Sequence, residues 1–314
     1  MSLLVVGTVA FDSIKTPFGS VEKVIGGAAT YISWAATFYY RNVKLVSVIG
    51  DDWPETEIHH LRARGVDTEG LQIRKGQKSF FWEGKYNNDM NSRDTLATDL
   101  NVLADFDPIL PESYKKSRYV MLGNLTPDIQ LRVLEQLTAR PKLIVMDTMN
   151  YWMDVAMPSL KKVLSKVDLL TINDDEARQL SGEHSLVKAA NAILKMGPSY
   201  LVIKKGEHGA LLFYRNSIFF APALPLQDVV DPTGAGDTFA GGFIGYLAQS
   251  DNIQYNYMKR AMIYGSAMAS LCVEEFSLQK IQTLTHDEIV DRLNEFVKLT
   301  KFNIKLNYDS NDDE

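Results

Sequence analysis

The stretch "DPTGAGDTFAGGF", Asp231–Phe243, concentrates glycines where the following residues predict a helix. Phe239, Phe243 and Leu247, with their apolar neighbours, repeat at helical spacing and place the helix start near Gly234. A glycine inside a helix costs up to about 1 kcal/mol relative to alanine. The glycines must therefore serve a purpose that alanine would not.

A phosphate-binding site is one such purpose. Glycine at a helix start lets the backbone approach a ligand, and the free N–H groups together with the helix dipole attract an anion. Bound phosphate accounts for Gly234 and Gly236. Asp237, in the same turn, has two interpretations that the residues alone leave open. It stabilises the helix start, or its carboxylate orients a hydroxyl and accepts its proton during phosphoryl transfer.

Two other nucleotide-binding motifs are not present in the sequence. No Gly-Lys-Ser/Thr follows the glycine run, so it is not a Walker A loop. No Gly-x-Gly-x-x-Gly follows the first predicted strand, which disfavours a dinucleotide-dependent dehydrogenase. Deeper in the helix, Gly241, Gly242 and Gly245 are expected to allow close packing against a sheet.

Composition restricts the class of protein. The chain has 314 residues, of which 46% are hydrophobic and 23% charged, as in a soluble globular protein. The net charge of −6 argues against nucleic acid as a main partner. No apolar run is long enough for a membrane span, and the N-terminus is typical of a buried strand and not of a secretion signal. The single cysteine, Cys272, excludes an internal disulfide, so we expect a cytoplasmic location.

Short apolar runs alternate with amphipathic stretches along most of the chain. Strands are predicted at 3–10, 43–50, 119–124, 142–148, 168–173 and 200–206, and helices at 28–40, 54–64, 127–139, 154–165, 174–181 and 185–196. The strands are almost continuously apolar, which is typical of parallel strands buried on both faces. The sequence thus predicts a doubly wound, mainly parallel α/β sheet over residues 1–302, followed by a polar, acidic tail at 303–314.

Two segments, about 13–25 and 79–104, interrupt this alternation. They form either a small antiparallel flap attached to the core or two long loops. The second contains the aromatic residues Phe80, Phe81, Trp82 and Tyr86. A small apolar flap core or a dimer face explains these rings better than ligand stacking does. Arg93, nearby, either pairs with an acidic substrate or is simply exposed.

Polar residues stand near the carboxyl ends of the predicted strands. They are Asp12, Gly50–Asp51, Gly123–Asn124, Asp147, Asn173 and Lys204–Gly206. Open α/β sheets bind ligands at this edge, so the pattern indicates a binding crevice.

The motif Asp-x-Thr-Gly-Ala-Gly-Asp-Thr-Phe, at 231–239, closely resembles the signature of the ribokinase-like (PfkB) carbohydrate kinases. Supporting matches are Gly26–Gly27, Gly50–Asp51, Asn173–Glu176 and Lys205–Gly209. The resemblance covers nearly the whole chain. It implies transfer of the ATP γ-phosphoryl group to a hydroxyl of a sugar, nucleoside or related molecule, with Mg²⁺ as a cofactor.

The resemblance also implies roles for individual residues. Asp237 becomes the catalytic base, and Gly234, Ala235 and Gly236 become the anion hole. The implied ATP-binding residues are Asn173, Lys204, Lys205, Gly206, Gly209 and Thr233. The implied substrate-binding residues are Asp12, Gly26, Gly27, Tyr31 and Asn124, with Tyr31 at a position where the family usually has Asn. Glu176 is implied to hold Mg²⁺ through water, and Asp231 is a candidate K⁺ site.

Several alternatives remain open at this level. The acceptor is a sugar or related molecule, or a nucleoside as in an adenosine-like kinase. A regulator that binds nucleotide or sugar without catalysis is the alternative from another class. A homodimer formed through the flap is also open.

Overall fold

A nine-stranded sheet forms the centre of the structure, a computed structural model that describes residues 2–301. The expected acidic tail at 303–314 lies outside the described residues. In chain order the strands are β1 (Leu3–Val6), β2 (Ala10–Thr16), β3 (Gly19–Gly26), β4 (Val43–Gly50), β5 (Val66–Arg74), β6 (Phe80–Tyr86), β7 (Arg93–Asp99), β8 (Tyr119–Leu122), β9 (Leu143–Asp147), β10 (Leu169–Asn173), β11 (Tyr200–Lys204), β12 (Ala210–Tyr214) and β13 (Ser217–Ala221).

Helices connect most of these strands. They are α1 (Ala28–Thr37), α2 (Glu55–Ala63), α3 (Pro127–Glu135), α4 (Asn150–Val155), α5 (Met157–Leu164), α6 (Asp174–Ser181), α7 (Leu186–Leu194), α8 (Ala235–Ser250), α9 (Tyr255–Cys272), α10 (Gln279–Thr283) and α11 (His286–Thr300). Within residues 2–301, none of them combines the length and the apolar character needed to cross a bilayer.

The large sheet has the order β13-β12-β11-β10-β9-β8-β1-β4-β5. The strands from β11 to β5 are parallel, and β12 and β13 add an antiparallel edge. Along β1, Leu3 and Val5 join one hydrophobic core, and Leu4 and Val6 join the other. Successive side chains of a strand point to opposite faces, so the continuous apolar run serves two helical layers. The doubly wound, mainly parallel α/β fold is confirmed.

A second sheet, here called the lid sheet, consists of β2, β3, β6 and β7 in the order β3-β2-β6-β7. It comes from the two segments that interrupt the alternation, so the flap is confirmed in place of two loops. The expected antiparallel arrangement is only partly right, because β2 and β6 pair in parallel. Each hairpin is antiparallel internally, and the two hairpins join side by side through their parallel strands.

The helix predicted at 154–165 is wrong as a single element. Two short helices, α4 and α5, meet at Ala156, whose φ of −139° is not helical. Pro158 lies in the first turn of α5, where its missing N–H and fixed φ are tolerated. The proline therefore starts a new helix after the break.

The glycines of α8 pack against helices and not, as expected, against the sheet. A Cβ on Gly241 would lie 2.5 Å from the Ile32 carbonyl oxygen of α1, and a Cβ on Gly245 would lie 2.9 Å from Cα of Ala36. A Cβ on Gly242 would approach Met268 of α9 to 2.8 Å. The three glycines thus let α8 pass between α1 and α9 at close range, which fixes the position of its N-terminus.

Replacing Gly241 by alanine should lower the free energy of unfolding by about 2 kcal/mol, because the new methyl group meets backbone that cannot move aside cheaply. The gain in helix propensity, up to about 1 kcal/mol, is too small to offset this. Urea unfolding measures the change. Gln249→Ala, at an exposed position of the same helix, is the control and should change stability by less than about 0.5 kcal/mol. A Gly241→Ala variant as stable as wild type would contradict the packing argument.

Candidate active site

Three neighbouring parallel strands end in polar residues at one edge of the large sheet. Asp147 ends β9, Asn173 ends β10 and Lys204 ends β11. The register pairs Asn173 with Lys204 and Thr171 with Asp147, so the three termini stand side by side. Asp147, Asn173 and Lys204 therefore form the base of the predicted crevice, which we call the floor of the site.

Asp147 and Lys204 form a buried ion pair on this floor. Nζ of Lys204 lies 2.8 Å from Oδ2 of Asp147, with side chains 18% and 9% exposed. Burial opposes the charge of Lys204, but Asp147 and Glu176 outweigh it and raise its pKa. Burial raises the pKa of Asp147, and Lys204 acts against this rise. Asp147 was not predicted as a site residue, although its place at a strand end was the available signal.

Asn173 and Glu176 form a capping box at the start of α6. Oδ1 of Asn173 accepts from the Glu176 N–H at 2.7 Å, and Oε2 of Glu176 accepts from the Asn173 N–H at 2.8 Å. Burial first, and then Asp147, raise the pKa of Glu176 to about 7. The neighbouring acids Asp174 and Asp175 instead face Arg178. The pair therefore has a structural role that also holds the Glu176 carboxylate beside Lys204.

The N-terminus of α8 lies above the same floor. Gly234 has a φ of +75°, and a Cβ there would lie 2.4 Å from the Tyr31 ring, so glycine is required. A Cβ on Gly236 would lie 3.1 Å from Nζ of Lys204. The N–H of Ala235 donates to the Pro232 carbonyl at 3.2 Å, whereas within residues 2–301 no backbone acceptor is found for Gly236. The Gly236 backbone of the predicted anion hole thus lies beside a cation.

Asp237 follows in the first turn of α8 and is half-buried. Burial, and then the charge of Asp147, raise its pKa to about 7, while Lys204 and Arg93 act against this rise. No side-chain cap closes this helix start. The carboxylate therefore stands in the site and not in a capping hydrogen bond.

Asp231 and Thr233 fix the loop that precedes α8. Asp231 is fully buried, and its carboxylate accepts from the N–H groups of Thr233 at 2.8 Å and Ser277 at 2.9 Å. Burial raises the pKa of Asp231. Thr233 donates through Oγ1 to the Tyr86 hydroxyl of the lid sheet at 3.2 Å. Both residues thus position the loop, and Thr233 also joins it to the lid.

Asp12, expected shortly after the first strand, lies inside strand β2 of the lid sheet. It is 5% exposed, and the Gly27 N–H donates to its carboxylate. Burial, and then Asp231 and Asp237, raise its pKa to about 7. A Cβ on Gly26 would lie 2.0 Å from Oδ2 of Asp12. The absence of a Cβ on Gly26 thus makes room for the carboxylate.

Tyr31 and Asn124 were both predicted to contact substrate. Tyr31 is 1% exposed, and its ring supports Gly234 from below, so it serves the loop. The Asn124 side chain accepts from Nε1 of Trp152 at 2.8 Å and donates to Sδ of Met149 at 3.1 Å. The contacts of Tyr31 and Asn124 do not include the carboxylates described above. A direct contact with substrate stays a prediction for both residues.

The loop between β11 and β12 contains the remaining predicted ATP-binding residues. Its glycines, Gly206 and Gly209, have φ values of +55° and +81°. Lys204 faces the site, while the half-buried Lys205 follows it in the turn. A Cβ on Gly206 would lie 2.6 Å from Oδ1 of Asn91, at the tip of the β6–β7 hairpin. The lid sheet therefore reaches this loop as well.

Lys204→Met should lower the free energy of unfolding by about 3 kcal/mol, because Asp147 would lose its partner in a buried site. The double variant Lys204→Met/Asp147→Leu should recover most of the loss, since both charges are then removed. Chemical denaturation near neutral pH measures both. Lys205→Met is the matched control and should stay within about 0.5 kcal/mol of wild type. Equal effects of the two single lysine variants would contradict the buried-pair interpretation.

Both the sequence and the fold are similar to those of known proteins. The model of the family described as pfkB family carbohydrate kinase matches residues 3–284. The chain is 31% identical to the cytidine kinase of Thermococcus kodakarensis over 253 residues, which is 78% of this chain and 88% of that protein. It is 25% identical to the nucleoside kinase of Methanothermobacter thermautotrophicus over 297 residues, 88% of this chain and 91% of that protein.

The fold is also similar to a solved structure of a putative ribokinase II from E. coli, in complex with ATP and Mg²⁺. The TM-score is 0.78 at 18% identity, over 95% of this chain and 99% of that one. The nine-stranded sheet and its flanking helices therefore have the ribokinase fold.

Proposed function

We propose a function from one established premise: the chain belongs to the pfkB family of carbohydrate kinases, and it is therefore a phosphotransferase with a hydroxyl group as acceptor. From this premise we propose that it transfers the γ-phosphoryl group of ATP to a hydroxyl of a nucleoside. Asp237 is the base in this proposal, and Gly234, Ala235 and Gly236 form the anion hole. The observation that carries it is the position of Asp237, an uncapped carboxylate in the first turn of α8 beside Lys204.

Proton transfer is the task of Asp237. A base works best when its pKa lies near the working pH, and burial among other charges has raised the pKa of Asp237 to about 7. The carboxylate accepts the hydroxyl proton as the acceptor oxygen bonds to phosphorus. Asp12, on the lid sheet, accepts hydrogen bonds from other hydroxyls of the acceptor and orients it.

The phosphates of ATP fit the space between α8 and β11. The free N–H of Gly236 and the ammonium of Lys204 converge there, and the absence of a Cβ on Gly236 keeps the space open. Asn173, Lys205, Gly206, Gly209 and Thr233 complete the proposed ATP site. Binding there uses both the helix dipole and a positive side chain.

Mg²⁺, when bound, would neutralise charge on the phosphates. Among residues 2–301 no cluster of three or more His, Cys, Asp or Glu side chains is arranged to hold a metal by itself. That fits Mg²⁺, which keeps several waters and takes most other ligands from substrate phosphates. Glu176, buried beside Lys204, is the carboxylate proposed to hold it through water.

The acceptor class rests on the relatives. The two curated proteins described above are named a cytidine kinase and a nucleoside kinase. A nucleoside offers ribose hydroxyls to Asp12 and an aromatic base to the lid sheet, where Trp82 is half-buried opposite Asp12. A sugar acceptor would use Asp12 equally well, so a panel of nucleosides, sugars and sugar acids distinguishes the classes.

Three further proposals concern the extent of the domain, activation by K⁺ and the oligomeric state. We propose that residues 1–302 form one kinase domain. Both carboxylate oxygens of Asp231, the candidate K⁺ site, already accept hydrogen bonds from backbone N–H groups. Activation by K⁺ is tested by comparing the activity in potassium and in tetramethylammonium salts. Phe18 and Leu96 of the lid sheet region are 52% and 50% exposed, and a homodimer through the lid is tested by sedimentation.

Asp237→Asn should abolish turnover, by at least about a hundredfold, while ATP affinity stays nearly unchanged, because the amide cannot accept the proton. A coupled ADP-release assay and calorimetric titration of ATP measure the two effects. Asp228→Asn, at an exposed position before the motif, is the control and should retain activity. Near-normal kcat of Asp237→Asn on the best acceptor would refute the base assignment. Lack of acceptor-dependent ADP release by wild type over the whole panel would instead favour a regulator.

The activity and the stability should respond to pH in opposite directions. Because the pKa values of Asp12 and Asp237 are about 7, kcat/KM should rise with pH through about 7. A carboxyl group whose pKa is raised on folding favours the folded state below its unfolded pKa of about 4, and this contribution is lost as pH rises through about 7. Asp237→Asn should therefore raise the melting temperature at about pH 8 more than at about pH 5. A rise of equal size at both pH values would contradict the electrostatic origin.

A further inference from the structure

One face of the lid sheet points toward the site, and its pairing register defines which residues share that face. Asp12 of β2 is the partner of Trp82 in β6, and Tyr86 of β6 is the partner of Arg93 in β7. Trp82 and Tyr86 lie four residues apart on one strand, so both point the same way. Asp12, Trp82, Tyr86 and Arg93 therefore form one surface, which we call the inner lid face.

Tyr86 attaches the inner lid face to the loop before α8. It is 5% exposed, and its hydroxyl accepts from Oγ1 of Thr233 at 3.2 Å. The tip of the same hairpin touches Gly206 through Asn91. These two contacts hold the hairpin over the space between α8 and the β11–β12 loop.

Arg93 lies next to this attachment. Its guanidinium carbon is 5.8 Å from the centre of the Trp82 ring, and its charge acts against the rise that burial causes in the pKa of Tyr86. Its positive charge is felt by carboxylates on three different elements, Asp12 on β2, Glu176 on α6 and Asp237 on α8. Arg93 therefore belongs to the side of the lid sheet that faces these carboxylates.

The two cations of this region, Lys204 and Arg93, differ in their partners. Lys204 is already paired with Asp147 at 2.8 Å. In the described part of the chain, Arg93 forms no ion pair with a carboxylate, and Arg93 is exposed to solvent. The guanidinium donors are thus available to a ligand. A γ-phosphoryl group bound at the start of α8 would lie near Asp237, one of the three carboxylates on which Arg93 acts.

We propose that Arg93 is a catalytic residue carried by the lid, which donates hydrogen bonds to the phosphoryl group during its transfer. The inference rests on the proposed kinase function. In that step the acceptor oxygen forms a bond to the γ-phosphorus, and the bond to the oxygen bridging the β- and γ-phosphorus breaks. The acceptor proton goes to Asp237, and ADP leaves. Arg93 exchanges no proton and stabilises the negative charge of the moving group.

The chemistry favours phosphoryl over acceptor as the partner of Arg93. A nucleoside is uncharged, so it does not require a guanidinium for neutralisation. A phosphoryl group offers oxygens at the spacing of the planar guanidinium fork, which binds such groups through two parallel hydrogen bonds. Recognition of an anionic acceptor by Arg93 is therefore an alternative that the test must separate.

The test compares Arg93→Ala and Arg93→Lys with Lys85→Ala. Lys85 is exposed on the neighbouring strand of the same hairpin, and its side chain points away from the inner lid face. We expect Arg93→Ala to lower kcat by about 10²–10³-fold with little change in the KM for cytidine. Arg93→Lys should lose less, added guanidinium should restore part of the Arg93→Ala rate, and Lys85→Ala should behave as wild type. Thermal melting checks that the variants fold.

A second measurement does not depend on finding the acceptor. Calorimetry compares the binding of ADP with that of ADP plus aluminium fluoride, which mimics a planar phosphoryl group. Arg93→Ala should bind ADP as wild type does and lose most of the additional affinity that aluminium fluoride provides.

The possible results separate the two proposals. Suppose that wild type turns over an acceptor and Arg93→Ala keeps a near-normal kcat, or differs only by a higher KM for anionic acceptors. The role of Arg93 is then refuted, and the kinase proposal stands. If wild type phosphorylates nothing in the panel, the proposed function fails, and the aluminium fluoride titration alone decides on Arg93. Equal aluminium fluoride affinity in both proteins would refute the role of Arg93 in every case.

Discussion

The buried ion pair between Asp147 and Lys204 is the interaction on which the polar end of the sheet depends. Its two charges stand at the ends of β9 and β11, with β10 between them, so the pair exists only when these strands are in order. A buried pair contributes little net stability, but an unpaired buried charge is expensive. Lys204 in turn moderates the charges of Glu176 and Asp237. The Lys204 ammonium group therefore connects the order of the strands with the N-terminus of α8 and with the pKa values of the acidic site residues.

Local patterns made much of this structure predictable. The strand of Leu3–Val6 is apolar at every position because both faces are covered, and the glycine run before Phe239 marks the start of α8 as expected. The site residues at strand ends, Asn173 and Lys204, were also identifiable, because parallel strands deliver their carboxyl ends to one edge. These features depend on the sequence nearby and on one general rule of sheet geometry.

Features that depend on distant parts of the chain were not predictable in the same way. Asp147 and Lys204 are far apart in sequence, and nothing local shows that β10 alone separates their strands. Asp12 was expected only to follow the first strand, whereas the chain continues from there into the lid sheet and places Asp12 inside β2. The glycines of α8 show close packing but not the identity of the partner, which proved to be helices. Tertiary context, and not local propensity, decided each case.

The parallel pairing of β2 with β6 has a consequence for the order of folding. These strands lie far apart in the chain, with β3, β4, β5 and two helices between them, so their contact closes a long loop. Such contacts form late, after the nearby elements have already ordered. The lid sheet also carries few of the residues in the two hydrophobic cores. It is therefore expected to be among the first regions to open in native-state hydrogen exchange. The acceptor side would then be the least protected part of the molecule, while the nucleotide side stays closed with the main sheet.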